Sequence, residues 1–110
     1  MKNVIKGQYR QGDVLLTRVD EIPKDAVPVK ADGRYDRLVI LAEGEATGHH
    51  HSVDASNVAF LEVGEKRYLS VKEETPLNHQ EHAAITLTPG IYEVQRQIEA
   101  WRDELRQVRD

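Results

Sequence analysis

The sequence predicts an all-β domain: a compact small barrel or sandwich of about six to eight short strands with one C-terminal helix. Three observations predict it. Branched and aromatic residues gather in runs of strand length. Glycine, proline and acidic turn signals separate those runs at close intervals. Helical periodicity is confined to the tail.

The segment 12–19, GDVLLTRV, is rich in branched residues, bounded by a glycine and a charged turn, and reads as a strand. AVPVKA is extended, because a residue before proline is pushed out of the helical region. RLVILAEG, residues 37–44, is an apolar run of the length of a buried strand. NVAFLEV, residues 57–63, alternates, with Val58, Phe60 and Glu62 on one face and Ala59, Leu61 and Val63 on the other. KRYLSVKEE follows Gly64 and Glu65, so the two runs are expected to form a hairpin. AAITLTPGIYEVQRQ reads as strand, turn, strand, with Pro89 and Gly90 in the middle positions of a type II turn. In the tail, Ile98, Trp101, Leu105 and Val108 recur at helical steps, which predicts a helix over about 97–109 docked by that stripe.

The 110 residues fit a single domain, 1–110. With no cysteine, disulfide frameworks, thiolate metal sites and cysteine nucleophiles are excluded. No apolar run approaches the roughly 20 residues that span a bilayer, and MKNVIKGQYRQGD lacks the apolar centre of a secretory signal, so a cytoplasmic protein without membrane association is expected. The net charge of −4 disfavours nucleic acid as a partner. Arg96, Arg102, Arg106 and Arg109 surround Trp101, but Glu99, Asp103, Glu104 and Asp110 interleave them and pair at helical spacing. Trp101 and its stripe alternatively supply a homodimer contact.

All five histidines fall in two short clusters, GHHHSV at 48–53 and NHQEH at 78–82. In an extended segment His49 and His51 share one face and His50 takes the other. His79 and His82 converge if the chain turns there, as Pro76 and Asn78 favour. Neutral imidazole is the commonest metal ligand near neutral pH. His49, His51, His79 and His82 are therefore the candidate ligands of a divalent transition metal, with zinc the first expectation. Glu81 is the candidate catalytic carboxylate, and Glu45 and Asp54 lie near. A metal held there would activate water toward a small-molecule substrate. The competing reading is a non-enzymatic interaction protein of a phage or mobile element, whose histidines are structural or bind a protein partner. QGDV, residues 11–14, reads most simply as a turn entering a strand, and a catalytic Asp13 is disfavoured. Ser52, Ser56 and Ser70 lack the elbow of a nucleophilic serine.

Two resemblances attach to these residues. His49 and His51 ahead of FLEVGE resemble the first motif of the cupins, small metal-binding β-barrels. Asp54 comes too early and Glu62 too late for the cupin glutamate, and His79 and His82 precede the Pro-Gly turn rather than following it. The fuller resemblance is to a group of small uncharacterised bacterial and phage proteins, carried by Gly48, His49, His51, His79, Glu81, His82, Gly90, Tyr92, Val94 and Gln97 in a G-H-x-H, H-x-E-H, G-x-Y-x-V-x-x-Q series. It implies that the histidine spacing belongs to a pattern, and implies no reaction.

Overall fold

A computed structural model describes residues 7–30, 35, 37–43 and 48–97. Among these residues there are ten strands: β1 (Gln8–Gln11), β2 (Val14–Val19), β3 (Val27–Pro28), β4 (Leu38–Glu43), β5 (His50–Asp54), β6 (Val58–Val63), β7 (Lys66–Val71), β8 (Thr75–Leu77), β9 (Ile85–Leu87) and β10 (Gly90–Arg96). A short 3-10 turn, Ala55–Asn57, joins β5 to β6. The strands outnumber the expectation because β1, β5 and β8 are short and partly polar, and so lack the apolar signature of the other runs.

Six strands form one antiparallel sheet in the order β1-β2-β10-β7-β6-β3. It ends at β1 on one side and β3 on the other, so the barrel of the sequence reading does not close. Pro28 sits on the β3 edge, where the missing N–H breaks no interior ladder. β4 with β5 and β8 with β9 make two separate two-stranded hairpins. The β6–β7 hairpin follows the sequence expectation, with Val63 opposite Lys66 and Gly64 at φ +59. The strand, Pro-Gly, strand order of AAITLTPGIYEVQRQ also holds, as β9 and β10, but these two strands do not pair with each other. β9 pairs with β8, whereas β10 lies between β2 and β7, so the proline and glycine carry the chain from a small hairpin into the main sheet. The expected helix over 97–109 lies outside the described residues beyond Gln97. Among the described residues no helix is long and apolar enough to cross a membrane.

Alternation along the strands builds the core. Val14 and Leu16 of β2, Leu69 and Val71 of β7, and Tyr92 and Val94 of β10 are buried together. Leu41 of β4, Val53 of β5, Leu77 of β8 and Leu87 of β9 join the same cluster, so both hairpins share the core of the main sheet. Each fully buried leucine contributes about 1.5–3 kcal/mol. Tyr92 is the largest of these side chains, and its phenol needs a partner. The hydroxyl donates to the Thr88 carbonyl at 2.6 Å and accepts from the Arg18 guanidinium at 2.9 Å, which anchors the entry to β10. Tyr92→Phe removes both bonds without changing the ring. We expect it to lower the free energy of chemical unfolding by about 1–2 kcal/mol with the sheet intact by circular dichroism.

Candidate metal centre

Two backbone hydrogen bonds bring the histidine clusters together. The Ser52 amide donates to the Asn78 carbonyl and the Asn78 amide to the Ser52 carbonyl, each at 2.9 Å. This antiparallel bridge joins β5 to the end of β8. Its register runs outward in both directions. On the inner side Val53 meets Leu77, both without exposure in the core. On the outer side come His51 with His79, His50 with Gln80, and His49 with Glu81. Each of these three pairs is in contact. The rings of His51 and His79 lie 4.4 Å apart between centroids. Gln80 accepts from the His50 amide at 2.7 Å and donates to His50 Nε2 at 3.2 Å. His49 Nδ1 donates to Glu81 Oε1 at 2.9 Å.

Strand alternation then divides the histidines as the sequence suggests. His49, His51 and His79 gather on one face, and His82 returns to the same place, 4.7 Å from His79 and 6.2 Å from His51 between ring centroids. The structure thus brings together His49, His51, His79, His82 and Glu81. His50 is turned away and packs on Tyr35, with centroids 4.8 Å apart. Asp54 is no part of this group. Its carboxylate caps the 3-10 turn by accepting from the Ser56 amide and hydroxyl, and the hydroxyl bond is the first cause of its lowered pKa. Glu45 lies outside the described residues.

The turn between β1 and β2, read from the sequence as a simple turn entering a strand, lies against the histidine cluster. Gln11, only 2 % exposed, carries the cluster from beneath. Its amide nitrogen donates to the carbonyls of Leu77 at 2.8 Å and Ala83 at 3.0 Å, clasping both ends of the second histidine segment. Two acceptors fix the amide's orientation, so its oxygen faces His51 Nδ1 at 2.8 Å and must accept a hydrogen bond from it. Neutral His51 therefore carries its hydrogen on Nδ1 and leaves Nε2 bare. Gly12 follows with φ +56. A Cβ there would stand 2.8 Å from His82 Nε2 and 3.3 Å from His51 Cε1, so the glycine lets the turn lie directly under both rings. Asp13 then places Oδ1 3.6 Å from His51 Nε2. Arg96 holds the other carboxylate oxygen through Nε at 3.0 Å and Nη2 at 2.7 Å. The available signal was a polar Q-G-D triplet between two strands, with the one glutamine of β1 that follows the inward alternation.

The electrostatics follow from this packing. Burial first, then the positive character of neighbouring His79, push the His51 pKa down to about 4, against the pull of Asp13. His51 is consequently neutral at pH 7. Burial opposes ionisation of Asp13, but the bonds and charge of Arg96 outweigh it and hold the carboxyl below its ordinary value. His79 is also lowered, by desolvation first and then by His82 and His49. The His79 ring is turned differently from His51: its Nδ1 accepts from the amides of Glu81 at 3.0 Å and His82 at 3.3 Å. Neutral His79 therefore carries its hydrogen on Nε2. His49 likewise directs its Nδ1 to an oxygen, that of the Glu81 carboxylate. A carboxylate or amide oxygen on Nδ1 with Nε2 free is how metal-ligating histidines are held. Among the described residues, no three histidine, aspartate or glutamate side chains stand close enough to hold one ion as placed.

Fold and site together define an all-β protein with an imidazole cluster at the seam between its main sheet and its two hairpins. The chain belongs to the family described as Domain of unknown function (DUF8820), which matches residues 10–97. The matched span contains the whole cluster, from Gln11 to Arg96. No curated protein matches the chain, and no solved structure does. The cupin resemblance rests on the sequence pattern alone.

Two measurements check this geometry. Gln11→Ala leaves two carbonyls and the His51 Nδ1–H without partners, and we expect a loss of about 2–5 kcal/mol in chemical unfolding, more than an ordinary surface change. The second is pH dependence in the presence of a chelator. His51 titrates near pH 6.5 when unfolded and near 4 when folded, so its contribution is complete above pH 6.5 and disappears as the pH falls toward 4. About 3 kcal/mol of unfolding free energy should be lost across that window, and His51→Gln should flatten the loss.

Proposed function

We propose that this protein binds a divalent transition metal, zinc foremost, at the seam, through the bare Nε2 of His51 and the carboxylate of Asp13, with His49 and His82 as further ligands. One observation carries the reading. The Nε2 of a neutral imidazole and the oxygen of an ionised carboxylate face each other across 3.6 Å, two acceptors with no proton between them. A cation held between them would relieve that opposition. His51 is fixed by Gln11 and buried, so it is the anchor. His82 is exposed beside it. Glu81 serves as the carboxylate that orients His49. His79 lies beside them, but its Nδ1 accepts from two amides of its own turn, so it is the least suited of the four histidines to be a ligand.

A metal held there would supply Lewis acidity and a lowered pKa for bound water. The residues of this chain position it: Gln11 sets the tautomer of His51, Arg96 keeps Asp13 ionised, and Gly12 leaves room for both rings. A small molecule with a polarisable oxygen is the substrate class this arrangement suits.

The test is metal content by elemental analysis of protein purified without a tag. Near-stoichiometric metal in the parent, and at least about tenfold less in a His51→Ala, His82→Ala double variant, is the expected outcome. Parent protein without metal, whose melting temperature does not rise on adding zinc, would sink the proposal and favour a non-enzymatic partner-binding role.

A further inference from the structure

We propose that the protein carries a second site, independent of the metal reading: a cavity between β4 and the β3 edge of the main sheet that binds a small apolar carboxylate, with Arg67 holding the carboxylate group. The two layers of the fold are joined unequally. On the β1 side hydrogen bonds stitch them together, from Gln11 to the Leu77 and Ala83 carbonyls and between the Tyr9 and Thr88 hydroxyls at 3.1 Å. On the β3 side a cavity of about 550 Å³ separates them, within the size range of small-molecule sites. β4 walls it along its whole length. The core is left unfilled here. Phe60 stands opposite Leu69, and Val39 opposite Val53, and both partners are without exposure. Strand pairing therefore turns Phe60 and Val39 inward, yet both stay half-exposed where they line the cavity. Inward apolar surface that the chain itself does not cover favours an apolar ligand.

Arg67 supplies the polar end. It shares the inward face of β7 with Leu69, where a guanidinium is rare without a partner. Its Nη1 donates to the Leu41 carbonyl at 2.8 Å, and its guanidinium carbon lies 5.9 Å from the centre of the Phe60 ring. These contacts hold the group against the cavity wall and, among the described residues, leave its other N–H groups unpaired. Lys30 adds a second cation to the lining, against the one carboxylate of Glu43. Glu62 lies opposite Arg67 in the hairpin register but does not line the cavity. A planar fork of N–H donors beside apolar walls suits a carboxylate that carries a hydrocarbon body.

The experiment titrates the protein with octanoate and with octanol and follows backbone amide signals by NMR. A chelator is present, so that no ion at the histidine seam takes the carboxylate. We expect saturable octanoate shifts at Leu41, Phe60 and Leu61. Octanol has the same chain without the charge and should bind at least about tenfold more weakly. Arg67→Gln should weaken octanoate by a similar factor and leave octanol unchanged. Octanoate shifts that do not saturate, or that saturate only at residues away from the cavity, would overturn the proposal. Octanol bound by the parent as tightly as octanoate overturns it too, and that comparison stands even where Arg67→Gln does not fold. So does a folded Arg67→Gln that keeps the parent's octanoate affinity.

Discussion

The two backbone hydrogen bonds between Ser52 and Asn78 set everything around them. They are an ordinary antiparallel bridge in energy, but they fix a register, and a slip of one residue in that register would exchange every side chain across the faces. On one side of the bridge Val53 and Leu77 go into the core. On the other, His51 meets His79, His50 meets Gln80 and His49 meets Glu81. The burial of the two apolar residues therefore enforces the pairing of the polar ones. The site needs no separate folding event, because the hydrophobic core that stabilises the domain also aligns its histidines.

The β1–β2 turn supplies the second constraint. Gln11 is buried and makes three hydrogen bonds, two to the ends of the 77–83 segment and one to His51. A buried amide with every bond made is tolerated; one with a bond missing is costly. The glutamine thus couples the conformation of the second histidine segment to the tautomer of a ring in the first. Arg96 extends the same logic through Asp13, and Gln97 closes it by donating its amide to the Asp13 carbonyl at 2.6 Å. Residues far apart in sequence are held to one protonation pattern.

Much of this was legible in the chain before folding. Strands with apolar alternation, such as β2, β6, β7 and β10, lie where the branched residues gather. The separation of His49 and His51 from His50 follows from strand alternation alone, and the structure brings the two histidine clusters together. What escaped reading is physically instructive. β5 is a strand made of His50, His51, Ser52, Val53 and Asp54, and its polar residues mask it because its hydrogen-bond partners, not its composition, make it extended. Pro89 and Gly90 do separate two strands as read, yet β9 pairs with β8 rather than with β10, a pairing that no local pattern encodes. Gln11, Gly12 and Asp13 read as a simple turn, since the ring they support arrives from residues forty positions away.

The register and Gln11 together impose opposite tautomers on the neighbouring imidazoles of His51 and His79. Nitrogen NMR of the metal-free protein at pH 7, correlating each ring nitrogen with its carbon-bound protons, tests this most directly. The account predicts His51 neutral with hydrogen on Nδ1 and Nε2 bare, beside His79 with hydrogen on Nε2. The same tautomer on both rings, or a protonated His51, would contradict it.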